Sequence, residues 1–205
     1  MPLPPIVFIV DDEPAVLKGL ARLLRAAGLA VETFLSSQDF LEHFLPNTPG
    51  CVVLDVAMPG LNGLDLQKAL AAKGSAVPII FLTGHGDIPM SVQAMKRGAA
   101  DFLTKPVNDD DLLKAVRAAI GTDRKTRQAR AEVADIQQRL STLTPREREV
   151  MDHVLSGQLN KQSAAELGIV EKTIKVHRAR MMEKMKVHSV AELVRLAERA
   201  GIGKK

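Results

Sequence analysis

The sequence predicts two folds in series: a doubly wound α/β domain built on a five-stranded parallel sheet, then an all-α domain of four helices around a helix-turn-helix. Three observations predict it. Up to Ile120, five short apolar runs alternate with helical stretches, the pattern of a parallel sheet covered on both faces. From Thr144 onward only helical patterns occur, opened by the capping box Thr144-Pro145-Arg146-Glu147. The charge divides at the same place. Residues 1–121 carry 10 Lys and Arg against 13 Asp and Glu, a balance of −3, and residues 122–205 carry 18 against 11, a balance of +7.

The elements follow in order. Ile6 to Val10 is a buried-strand run that ends in Asp11-Asp12-Glu13. Pro14 suits the first turn of a helix, where its missing N–H costs nothing. Apolar residues at Val16, Leu17, Leu20, Leu23 and Leu24 form a helical stripe, and Gly28 is placed to end it. Ala30 to Phe34 forms a second strand, and Ser36 with Asp39 caps a helix through His43. Cys51 to Asp55 is the third strand, closed by Pro59-Gly60 and followed by a helix over Leu64 to Ala72. Pro78 to Thr83 is the fourth strand, and Ile88 to Arg97 a helix stopped by Gly98. Ala100 to Leu103 is a short fifth strand, and Asp109 to Ile120 the closing helix. Right-handed crossovers favour the strand order 2-1-3-4-5. That order brings Asp11-Asp12, Asp55, Thr83 and Lys105-Pro106 to one carboxyl-end edge, where ligands of such sheets collect.

Asp55 alone is either a strand-end turn former or a nucleophile. The company it keeps at that edge favours chemistry. Carboxylates crowded together are stable only if paired or bound to a cation, and oxygen ligands suit Mg²⁺. Lys105 supplies a cation for Asp55 and for a phosphoryl oxygen, and Thr83 a hydroxyl with Gly84 leaving room beside it. Phosphoryl transfer needs positioning and charge stabilisation above all.

Over about residues 5–121 the chain resembles the receiver domain of bacterial two-component response regulators, a flavodoxin-like fold. The matching residues are Val10-Asp11-Asp12, Asp55 with Met58-Pro59-Gly60, Thr83-Gly84 and Lys105-Pro106. The resemblance implies that Asp55 accepts a phosphoryl group from a sensor histidine kinase. It implies Mg²⁺ held by Asp11, Asp12, Asp55 and the Ala57 backbone carbonyl, with Asp11 acting largely through water. It also implies switch roles for Thr83 and Phe102, and a cis peptide at Lys105-Pro106. Ala57 is small where this family is often long or polar, which leaves the phosphoryl group more open to water or small phosphodonors. His85, two residues beyond Thr83, is either a group that orients the attacking water or an exposed loop histidine.

Residues 122–140 read as a helical linker, rich in Ala, Arg, Gln and Glu without Pro, with Val133, Ile136 and Leu140 as a short apolar stripe. Gly121 marks a hinge unless a helix runs through it. In residues 141–205 the first helix runs to Leu155. The next covers Lys161 to Leu167 and turns at Gly168, a third runs from Glu171 to Lys186, and Ser189 with Glu192 caps a last one through Ala200. The third helix carries the charge, with Ile174, Met181 and Met185 as its inward residues.

Residues 141–202 resemble the LuxR-type helix-turn-helix domain of transcription factors. The likeness rests on Leu143-Thr-Pro-Arg-Glu-Arg-Glu149, Gly157 with Asn160-Lys161, Ala164-Ala165-Glu166-Leu167-Gly168 and Lys172-Thr-Ile-Lys-Val-His-Arg178. With the receiver and the Val176-His177-Arg178-Ala179 run, the chain is similar to the FixJ subgroup. The resemblance implies that Lys175, Val176 and Ala179 face bases while Asn160, Lys161, Thr173 and Arg180 hold phosphates, with Arg178 also in the DNA-binding set. Two departures stand out: Ala179 is short where some relatives carry a long polar reader, and Val170 replaces the Ser that usually caps the reading helix.

No apolar run approaches the roughly 20 residues of a membrane span, and Met1 to Pro5 has no signal-peptide character. One cysteine makes no internal disulfide, in keeping with a cytoplasmic protein. The absence of Trp and Tyr speaks against gripping single strands by base stacking. A phosphatase-like hydrolase would place a second Asp two residues beyond the nucleophile, where Ala57 stands. An RNA- or protein-binding module is the other alternative. The expectation is a phosphorylation-switched transcription regulator and not an enzyme on a separate substrate, although its receiver catalyses its own phosphotransfer and dephosphorylation with Mg²⁺. Its partners would be double-stranded promoter DNA, RNA polymerase and, once phosphorylated, a second copy of itself.

Overall fold

The computed structural model describes residues 4–84 and 88–202. Five strands, β1 (Ile6–Val10), β2 (Ala30–Phe34), β3 (Gly50–Asp55), β4 (Ile79–Thr83) and β5 (Asp101–Thr104), pair in parallel in the order β2-β1-β3-β4-β5. Between them run α1 (Pro14–Ala26), α2 (Ser37–His43), α3 (Gly63–Ala72) and α4 (Ile88–Lys96), and α5 (Asp109–Ser141) follows β5. Then come α6 (Pro145–Leu155), α7 (Asn160–Leu167), α8 (Glu171–Met185) and α9 (Val190–Arg199). The fold class is the one expected, a flavodoxin-like sheet followed by a helical domain.

Alternation along the strands sorts the core into two layers, because successive side chains point to opposite faces. Phe8, Val10, Val52, Leu54 and Phe81 face one side, with Phe40 of α2 and Leu66 and Leu70 of α3. Val7, Ile9, Cys51, Val53, Ile80 and Leu82 face the other, against Leu17, Leu20 and Leu24 of α1 and Leu112 and Val116 of α5. Every residue of β3 is buried, so the central strand tolerates no polar group except at its end. That end is Asp55. Burial raises the Cys51 thiol to about 12, with the Asp123 charge adding to it, which makes this cysteine an inert core residue.

The chain divides into two compact units, Met1–Arg127 and Gln128–Lys205, and the division falls inside α5. The closing helix expected to stop at Ile120 therefore continues through Gly121 to Ser141. The reason is tertiary. In the first unit the buried Asp123 carboxylate accepts the Gly50 N–H at 2.9 Å and Arg127 Nε at 2.7 Å, and Arg127 donates onward to the Asn47 and Thr48 carbonyls at 2.8 and 2.5 Å. In the second unit Ile136 and Leu140 enter the core with Val150, Met151, Ile174, Met181 and Leu193. Sequence reading saw the apolar stripe but had no means of placing it.

Candidate functional site

The sheet edge assembles from its strand ends. The register pairs Val10 with Leu54, Asp55 with Leu82 and Thr83 with Thr104, so the carboxyl ends of β1, β3, β4 and β5 share one edge. Asp11 and Asp55 are buried, at 0% and 5% exposure, while Asp12 is exposed. One carboxylate oxygen from each of Asp11, Asp12 and Asp55 lies within 4.8 Å of the others. Lys105 Nζ sits 2.9 Å from Asp55 Oδ2 and 2.8 Å from Asp11 Oδ2, with Glu13 at 3.7 Å. The Lys105-Pro106 peptide is cis.

Backbone groups fix both acids. The Ala57 N–H donates to Asp55 Oδ1 at 3.2 Å, and the Glu13 N–H to Asp11 Oδ1 at 2.9 Å. Gly63 sits so close beneath Asp55 that a Cβ there would lie 2.4 Å from the Asp55 carbonyl oxygen. Sequence reading missed Gly63, and the only trace of it was a glycine one position before the α3 pattern. It also missed Glu13, third member of the Asp11-Asp12-Glu13 run.

Electrostatics follow from burial. Burial pushes the Asp11 carboxyl above its ordinary value, against the Lys105 bond and the Glu13 N–H, and the Asp55 charge adds to the rise. Burial also works against the Lys105 ammonium, yet its contacts with Asp11 and Asp55 together outweigh it and hold its pKa above that of an ordinary lysine. Asp11 Oδ2 has the Lys105 ammonium, 2.8 Å away, as its one partner among the described residues. Two buried carboxylates and a third beside them, with one lysine among the described residues, leave excess negative charge. The donor set, all oxygen and partly open to water, fits a hard divalent cation.

Thr83 is buried at the end of β4, and its carbonyl accepts the Lys105 N–H at 2.6 Å. Phe102 is half-buried in β5 with its ring 6.3 Å from that of Phe81. His85 lies outside the described residues.

The second unit presents a different surface. Thr144 Oγ1 accepts the Glu147 N–H, and the Glu147 carboxylate accepts the Thr144 N–H at 2.9 Å, completing the box read from sequence. The same carboxylate, buried, takes Lys184 Nζ at 2.6 Å and so ties α8 to the start of α6. Ile174, Met181 and Met185 point inward as expected. Lys172, Lys175, Val176, Ala179 and Arg180 are exposed along the outer side of α8, and Lys161 is exposed on α7. Thr173, Arg178 and Asn160 are half-buried. Lys175 pairs with Glu171 at 3.0 Å, and Arg178 Nη1 donates to Asn160 Oδ1 at 3.0 Å. Val170 gives α8 no side-chain cap. No helix among the described residues is long and apolar enough to cross a membrane.

Known proteins share both halves. Residues 7–117 match the response regulator receiver domain, and residues 141–197 match the LuxR family of bacterial regulatory proteins. Nodulation protein W of Bradyrhizobium diazoefficiens is 49% identical over 197 residues, 96% of this chain and 87% of that protein. The solved structure of the response regulator StyR is 48% identical with a TM-score of 0.89, over 96% of this chain and all of that one. Full-length FixJ from B. japonicum is 45% identical with a TM-score of 0.59, over 96% of this chain and 97% of that one.

Proposed function

This chain belongs to the response regulators that join a receiver domain to a LuxR-type DNA-binding domain, in the company of FixJ, and from that membership we propose that Asp55 is the group through which a sensor histidine kinase controls the reader. The family makes it a DNA-binding transcription regulator. The single observation that supports Asp55 as phosphoacceptor is its carboxylate held between Lys105 Nζ and the Ala57 N–H at the buried end of β3.

In the transfer, an Asp55 carboxylate oxygen attacks phosphorus while the bond from phosphorus to the donor's histidine nitrogen breaks, and that nitrogen leaves with the electron pair. The Lys105 ammonium is placed to exchange part of its contact with Asp55 for a phosphoryl oxygen. Asp11, Asp12 and Asp55, with the Ala57 carbonyl, would hold Mg²⁺. When bound, that ion offsets the crowded carboxylates and stabilises charge on the transferring group. Thr83 and Phe102 act as the switch, turning toward the phosphoryl group and reshaping the face between α4 and β5. Hydrolysis of the phosphoaspartate by water resets it.

By function the parts divide as receiver 1–121, helical linker 122–140 and reader 141–205, with Asp123 and Arg127 of the linker packed in the first unit and its Ile136 and Leu140 in the core of the second. Phosphorylation favours a homodimer, which presents two readers to a two-fold related site in promoter DNA and brings in RNA polymerase, all in the cytoplasm. Lys175, Val176 and Ala179 face base edges, and Asn160, Lys161, Thr173 and Arg180 hold phosphates.

The test is Asp55→Asn. Wild-type protein given acetyl phosphate and Mg²⁺ gains one phosphoryl group by intact mass, sediments as a dimer and binds duplex DNA more tightly. The Asp55→Asn variant is expected to show none of the three changes while keeping its basal DNA binding. Phosphoryl uptake by the variant equal to wild type would remove Asp55 from the role.

A further inference from the structure

We infer that Arg178 is a positioning residue and not a DNA contact: it holds the Asn160 amide so that its NH₂ faces the phosphate backbone. The inference rests on the reading of α7 and α8 as the DNA-binding surface.

Asn160 is the first residue of α7, and its amide offers an acceptor oxygen at one end and two donor hydrogens at the other. The two ends have nearly the same shape, so only hydrogen-bond partners decide which faces outward. DNA phosphates only accept. An amide turned the wrong way would set its oxygen against them. Arg178, in the middle of α8, settles the choice, because a guanidinium has donors and no acceptor. Its Nη1 lies 3.0 Å from Asn160 Oδ1, and it can bond to nothing else on that amide. The Nδ2 hydrogens then have no protein acceptor among the described residues.

The neighbourhood is consistent with this division. Lys161, Lys175, Val176, Ala179 and Arg180 are exposed, whereas Arg178 and Asn160 are half-buried. The bond spans 18 residues and joins the first turn of α7 to α8, so Arg178 also fixes the spacing between a phosphate contact and the base-reading face. Position 159 can add no side-chain acceptor, since it is leucine, and its carbonyl already accepts the Ser163 N–H at 3.0 Å. The Leu159 N–H is taken by Gln162 Oε1 at 2.9 Å, which leaves orientation of the amide to Arg178.

The experiment is a double-mutant cycle on the phosphorylated full-length chain, read by fluorescence anisotropy. The probes are a duplex selected by wild-type protein from a random pool and its single-base variants. Arg178→Ala and Asn160→Ala are each expected to weaken binding about five- to tenfold, the worth of one hydrogen bond. The double variant is expected to be no weaker than either single. The loss from Arg178→Ala should be the same on every duplex, since phosphate contacts carry no sequence information. Asn160→Asp keeps Arg178 paired but offers no donor, so it should bind more weakly than Asn160→Ala. This variant keeps the test decisive should Arg178→Ala unfold.

Additive losses, a relaxed preference at one base pair in Arg178→Ala, or wild-type affinity in Asn160→Asp would each overturn the inference. If the wild-type protein selects no duplex at all, the DNA-binding reading falls with it. A wild type that binds while the cycle is additive removes only the role of Arg178.

Discussion

Ala57 places a methyl group where a longer side chain would shield Asp55. Its backbone N–H holds Asp55 Oδ1 at 3.2 Å, and any substitution except proline keeps that bond, so position 57 can change without moving the acid. Ala57→Arg is therefore expected to change the phosphoaspartate lifetime several-fold by altering access of water, with fold and phosphoryl uptake retained. Decay of the acid-labile phosphate after removal of donor reads it directly, and equal half-lives would dismiss position 57 as a determinant. Glu147 is a second residue whose surroundings set its behaviour. The Lys184 ammonium, then the Thr144 N–H, hold its carboxyl below the ordinary 4.5, against burial. A carboxyl depressed on folding favours the folded state above its unfolded value, and that contribution is lost as pH falls below 4.5 and through the lowered folded value. Glu147→Gln should cost about 1.5–3 kcal/mol at neutral pH, the range for hydrogen bonds to charged groups. The gap to wild type should then narrow on acidification below pH 4.5. Urea midpoints followed by amide signals of α6 and α8 would check both, and a gap independent of pH would rule out ionised Glu147 as its source.

Among the elements, α8 and α5 carry the main lessons. Val170 opens α8 with no side-chain acceptor for the first-turn N–H groups, and the residue is 67% exposed. The sequence announced this cost, since an apolar N-cap forfeits about 1 kcal/mol. Val170→Ser is expected to return about that much, raising the thermal midpoint of the second unit by a few degrees. An unchanged midpoint by differential scanning calorimetry would mean that another group already serves the helix end. In α5 the sequence was legible as helix on both sides of Gly121, which read as a hinge unless a helix ran through it, because a glycine costs about 1 kcal/mol inside a helix. That cost is local, and the Asp123 and Arg127 contacts outweigh it. Those contacts reach back to Gly50, Asn47 and Thr48, a separation no periodicity reports.

Across the molecule, the acidic first part carries the carboxylate site and the basic second part the exposed cations of α7 and α8. That split suits a device in which an anionic signal is received at one place and a polyanion is bound at another. The sequence by itself determined the strand runs, the helical stripes, the strand order and the four strand ends that meet at the carboxylate edge. Each of these depends on local periodicity or on the handedness of crossovers, and both can be read along the chain. Only the tertiary structure decided the pairings. Lys105, expected from sequence beside Asp55, also lies against Asp11, Gly63 packs under Asp55, Lys184 meets Glu147, and Arg178 holds Asn160. Asp123, which read as one charge in a polar linker, is buried at 4% exposure as the anchor of α5. Such contacts join residues far apart in sequence, and whether a polar side chain is buried with a partner depends on what the fold brings to it rather than on its neighbours in the chain.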